Sequence, residues 1–120
     1  MAVHPKGNPN LVKLIEDLKA ASREHKAPIW RAVAEKLEGS ARNWPEVNVS
    51  RIARHAKKGE TLVVPGKVLG SGTISFEVTV GAFSLSAEAR KKIEGAGGQV
   101  MSIMDLVAAI PDGSGIRIMG

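Results

Sequence analysis

Leu11, Leu14, Ile15, Leu18 and Ala21 recur every three or four residues with charged and polar residues between them, which gives this stretch one apolar face. The spacing predicts an amphipathic helix with Asn10 as its N-cap. A second helix is expected from Pro28, a residue suited to the first helical position. Ile29, Trp30, Val33 and Leu37 face inward along it, Arg31 can pair with Glu35 one turn on, and Gly39 ends it. Val47 to Val49 reads as extended, and Ser50 as the cap of a short helix that carries Arg51, Arg54 and His55 and runs through Lys57 and Lys58 to a stop at Gly59. Thr61 to Val64 is a β-branched strand, Pro65-Gly66 suits a type II turn, and Lys67 to Leu69 continues extended. From Ile74 to Val80 the apolar positions Phe76, Val78 and Val80 alternate with Glu77 and Thr79, a period of two that predicts a half-buried strand.

In the last third, Ser86 is placed to cap a helix and Glu88 suits its first turn. Gly97-Gly98 can take the positive φ values that end it. Gln99 to Ser102 is short and part apolar, Ile103 to Ile110 turns helical until Pro111, Gly113 and Gly115, and Ile116 to Met119 closes the chain as a short strand. Short strands and short helices therefore interleave, and the expected fold is α/β. It is a single compact domain over residues 1–120, divided into an N-terminal tail (1–10), a basic helical region (10–58) and a mixed strand and helix core (59–120). The tail, with His4-Pro5, Gly7 and Asn8-Pro9, is too rich in breakers for regular structure.

Composition narrows the function classes. With two Trp, two Phe and no Tyr, the core must be mostly aliphatic. The absence of Cys excludes disulfides, thiolate nucleophiles and Cys-ligated metal centres. No apolar run approaches the roughly 20 residues needed to span a bilayer, so a soluble, cytoplasmic protein with no membrane partner is expected. The net charge of +5 is unevenly spread. Residues 1–67 hold 13 Lys and Arg against 7 Asp and Glu, whereas residues 68–120 hold 4 against 5. A one-sided excess of this kind attracts a polyanion, most often nucleic acid or an anionic membrane surface.

Catalytic chemistry finds little support. His4, His25 and His55 lack the i, i+4 partner of a zinc site, and none has a sequence-local Ser or Asp that looks like a triad member. Glu16 and Asp17 are adjacent on a helix and so diverge around its axis. Gly70-Ser71-Gly72 precedes a strand pattern, whereas a phosphate-cradling loop opens a helix. No catalytic residue, metal, cofactor or small-molecule substrate is expected.

The candidate phosphate contacts are Lys6, Lys19, Arg23, Lys26, Arg42, Arg51, Arg54, Lys57, Lys58 and Lys67. Lys19, Arg23 and Lys26 fall on one face near the end of the first helix, where a Glu16 to Lys19 pair and helix-dipole compensation are the competing reading. Arg51, Arg54 and Lys58, at i, i+3 and i+7, share a face opposite Ile52 and Ala56. Guanidinium and ammonium groups there would hold phosphates without needing a particular base. Trp30 belongs to the apolar stripe. Trp44, in a loop between Asn43 and Pro45, has two readings open to it: local packing, or covering a ribose or base.

The chain also resembles a known family. Asn8-Pro9-Asn10-Leu11, Glu46-Val47-Asn48-Val49-Ser50-Arg51-Ile52, Val63-Val64-Pro65-Gly66-Lys67-Val68-Leu69-Gly70-Ser71-Gly72, Lys92-Ile93, Ala96-Gly97-Gly98, Leu106 and Pro111-Asp112-Gly113-Ser114-Gly115 follow one another in its order. This arrangement is similar to ribosomal protein eighteen-e of archaeal and eukaryotic large subunits, a relative of the bacterial fifteenth large-subunit protein. The lack of a longer basic N-terminal extension resembles archaeal members. The resemblance implies an irregular superhelix of strand–strand–helix turns and a non-catalytic role in translation. It also implies large-subunit ribosomal RNA and neighbouring ribosomal proteins as partners. A free-standing nucleic-acid-binding module outside the ribosome is the alternative with the same basic face.

Overall fold

The computed structural model describes residues 9–120. Five helices interleave with five strands: α1 (Pro9–His25), α2 (Pro28–Glu38), β1 (Glu46–Asn48), α3 (Val49–His55), β2 (Thr61–Leu69), β3 (Thr79–Leu85), α4 (Ala87–Gly95), β4 (Gln99–Ser102), α5 (Ile103–Ala109) and β5 (Ile116–Ile118). All strand pairs are parallel, in the order β1-β2-β3-β4, with β5 also on β2. β3 occupies one edge of β2 along most of its length. The other edge is shared, β5 pairing with Thr61 to Val63 and β1 with Lys67 to Leu69.

A parallel sheet must be covered on both faces, and alternation along β2 supplies both cores. Val63 packs with Leu11, Ile15 and Leu18 of α1, Trp30, Val33 and Leu37 of α2, and Ile103, Leu106 and Val107 of α5. Leu62 and Val64 point the other way, into a cluster with Val47, Ile52 of α3, Val80, and Ala89 and Ile93 of α4. Trp30 is fully buried, and its indole N–H donates to the Pro111 carbonyl at 2.7 Å, tying α2 to the loop after α5.

Several local expectations hold. Pro28 opens α2, Arg31 pairs with Glu35 at 3.1 Å, and the Ser86 hydroxyl accepts from the Ala89 N–H at 3.1 Å. Gly97, at φ +90, makes the left-handed turn after α4.

Others are corrected. Pro9 is already helical, so Asn10 lies within the first turn of α1 and does not precede it. α3 begins at Val49, one residue before the expected cap Ser50, and ends at His55 with Ala56 as its C-cap. Lys57 and Lys58 therefore lie beyond the helix, and the face expected to join Arg51, Arg54 and Lys58 does not form. Pro65-Gly66 is no turn. β2 runs straight through it, with a register irregularity between Val64 and Lys67. Pro65 has no N–H for the ladder, and a bulge is where a sheet tolerates it. Gly66 is required there by close approach, because a Cβ would collide with the Pro45 carbonyl oxygen. The neighbouring Lys67 N–H donates to that same oxygen at 3.0 Å.

The expected strand from Ile74 to Val80 begins only at Thr79 and extends to Leu85. Thr79 pairs with Thr61, the first residue of β2, so the residues before it run past the end of their partner strand. Ile74, Phe76 and Val78 still turn inward onto the core without a ladder. Gly66→Ala is expected to lower the unfolding free energy by about 1–3 kcal/mol through overpacking against Pro45. Urea denaturation would measure it, and an unchanged midpoint would contradict the close approach.

Candidate nucleic-acid interface

The shared edge of β2 gathers cations that are far apart in sequence. A single 3-10 turn, Ala41–Asn43, presents Arg42, and Trp44-Pro45 then leads into β1. In the register of the two strands Glu46 lies opposite Lys67. Arg42 and Lys67 line one depression together with Ala41, Trp44, Pro45 and Glu46. A second depression is lined by Arg51 and His55 of α3, Arg117 and Ile118 of β5, Met119 and Gly120. Pro45 joins the two, since a Cβ on Gly120 would sit 2.6 Å from the Pro45 Cγ. Arg42, Lys67, Arg51 and Arg117 thus border one side of the molecule.

Arg117 escaped the sequence reading. Its guanidinium donates to the His55 carbonyl at 2.6 Å and pairs with Glu60 at 2.9 Å, clamping β5 to the end of α3. A lone Arg between Ile116 and Ile118 gives no local sign of what it will face. Only the pairing of β5 with β2 brings it to the α3 cations.

The other candidate cations divide. Lys6 lies outside the described residues, as does His4. Among the described residues, Arg23, Lys26, Arg42, Arg51, Arg54, Lys57 and Lys67 carry no ion pair. Lys19 pairs with Glu38 at 2.7 Å, not with Glu16, because α1 and α2 lie side by side. Lys58 reaches Glu77 at 3.9 Å. Exposed pairs of this kind contribute about 0.2–1 kcal/mol, so exchanging a carboxylate for a phosphate costs little. Lys26 ends α1 at φ +51, and Arg23 and His25 occupy its last turn. The structure groups Arg42 with Lys67 and Arg51 with Arg117. Arg23 and Lys26 belong to the α1–α2 turn.

Trp44 makes local contacts on one side. It is half-buried against the α1–α2 side of the core and meets Phe83 edge-on, with ring centroids 4.9 Å apart. The Gly70-Ser71-Gly72 segment has its carbonyls occupied, Gly70 and Gly72 accepting from the Lys92 ammonium at 2.6 Å and Ser71 from the Ser50 N–H at 3.0 Å. A loop that turns carbonyls inward toward an ammonium is the inverse of a phosphate cradle. Among the described residues no group of three or more His, Asp or Glu could hold a metal ion, and no helix is long and apolar enough to cross a membrane.

Comparison with known proteins places the chain in a family. A sequence model of the family described as ribosomal protein 60S L18 and 50S L18e matches residues 4–120. The large ribosomal subunit protein eL18 of Methanospirillum hungatei is 52% identical over 114 residues, covering 95% of this chain and 94% of that protein. Those of Methanoregula boonei and Archaeoglobus fulgidus are each 51% identical over the same length, covering 94% and 97% of their own chains.

Proposed function

The chain belongs to the family of ribosomal protein 60S L18 and 50S L18e, in its archaeal form, and on that footing we propose that it is a structural constituent of the large subunit of cytoplasmic ribosomes. Its role is to bind ribosomal RNA, and with it neighbouring ribosomal proteins, in support of translation. The family is structural, not catalytic, and a free-standing module outside the ribosome is not favoured.

One observation carries the RNA-binding side of this reading. Arg42, Lys67 and Arg51, none of them engaged by a carboxylate among the described residues, border the same sheet edge. Unengaged cations on a folded edge meet phosphates without losing internal pairs, and their fixed spacing sets the register of the RNA. Arg54 and Lys57 extend the surface along and beyond α3. Arg23 and Lys26 offer a separate contact at the α1–α2 turn.

Crosslinking of purified large subunits tests the assignment. Peptides spanning Arg51 to Lys58 and the segment around Arg42 are expected to be recovered attached to ribosomal RNA. Recovery of RNA-linked peptides only from α4 and β4 would contradict it.

A further inference from the structure

Beside the basic edge, the surroundings of Trp44 combine features that phosphate binding alone does not use. Phe83, 36% exposed, stands out as an exposed large apolar side chain among the described residues, and it is the ring that Trp44 packs against, at 69° between planes. Phe83 itself lines a separate depression with Leu14, Ile103 and Met104; the one lined by Trp44 contains Arg42 and Lys67, both without an ion pair among the described residues, and Glu46. The Trp44 indole N–H is buried and has no hydrogen-bond partner, in contrast to that of Trp30, which holds the Pro111 carbonyl. Packing alone therefore fixes the Trp44 ring, and a small shift that gave its N–H an acceptor would be favourable.

We propose that the depression lined by Trp44 captures one unpaired nucleotide of the RNA, its base against Trp44 and its phosphate between Arg42 and Lys67. The inference rests on the RNA-binding reading above and names the kind of RNA element met at this end of the edge. Aromatic faces accept any base, whereas guanidinium and ammonium groups hold the backbone, and that combination is how single-stranded segments are bound. A duplex fits poorly, because its bases are stacked inward and unavailable to the indole ring. Glu46 offers acceptors to the amino groups of a base and keeps phosphate on the Arg42 and Lys67 side.

The test uses the full-length protein with its two tryptophans labelled at the indole nitrogen. It is titrated separately with adenosine monophosphate, inorganic phosphate and a six-nucleotide single-stranded RNA. The nucleotide and the hexamer are expected to move the Trp44 indole resonance and leave that of Trp30 in place, with phosphate moving neither. Arg42→Ala and Lys67→Ala are each expected to weaken hexamer binding about tenfold, the loss of one charge-assisted contact. A Trp44 resonance that stays still with hexamer bound, or that moves as far with phosphate as with the nucleotide, overturns the inference. Binding of a folded ribosomal RNA fragment by the same protein separates the two readings. A fragment bound through Arg51 and Arg54 with Trp44 silent removes only the nucleotide pocket, and a fragment not bound at all removes the surface it rests on.

Discussion

Trp30→Ala is expected to lower the unfolding free energy by about 3–5 kcal/mol, a large share of the 5–15 kcal/mol typical of a single domain. Trp30 is wholly buried where α1, α2 and α5 meet the sheet, and no other buried side chain is as large. Truncation would leave a cavity and also strip the Pro111 carbonyl of its indole donor. Trp30→Phe separates the two contributions. It keeps most of the packing and is expected to cost about 0.5–1.5 kcal/mol more than its volume change alone, the worth of the hydrogen bond. Urea denaturation of the three proteins measures both. Equal midpoints for the parent and Trp30→Ala would contradict the packing described for the α1–α2 side.

Arg51→Ala combined with Arg54→Ala is expected to weaken binding to a ribosomal RNA fragment by roughly 10- to 100-fold at physiological salt, since each removes a charge-assisted phosphate contact. The melting temperature should change little. Neither side chain makes an ion pair among the described residues, and the inward positions of α3 belong to Val49 and Ile52. A folded double variant that binds as tightly as the parent would remove α3 from the interface.

The helices were legible because burial on one face writes a period of three to four into the sequence, as in Leu11, Ile15 and Leu18. The cap at Ser86 was legible, the hydroxyl cap at Ser102 was not singled out, and the cap of α3 was misplaced. Asn48 occupies the cap position of α3 without a side-chain hydrogen bond, so the nearby Ser50 drew the boundary two residues late. Strand boundaries depend on partners that lie far along the chain. Nothing within Gly81 to Leu85 marks a strand, and only the register with β2 makes it one. Pro65-Gly66 carries the local signature of a turn, and the approach of Pro45 decides that it is a bulge.

The excess of cations in the first half was likewise legible as a sum. Its arrangement was not. The pairing of Lys19 with Glu38 depends on how α1 packs on α2, and the placing of Arg117 beside Arg51 depends on two strands sharing one edge of β2. Local charge spacing on α3 overreached at Lys58 because the helix stops at His55.

Whether this edge docks onto RNA phosphates is decided by the salt dependence of binding to a folded ribosomal RNA fragment, measured for the parent and for Arg51→Ala with Arg54→Ala. With about six cations on phosphates, log affinity should fall against log salt with a slope of roughly −4 to −5, and the double variant should show a slope shallower by about 1.5. A parent affinity that does not respond to salt, or a slope identical in the two proteins, would contradict the docking of this surface on RNA.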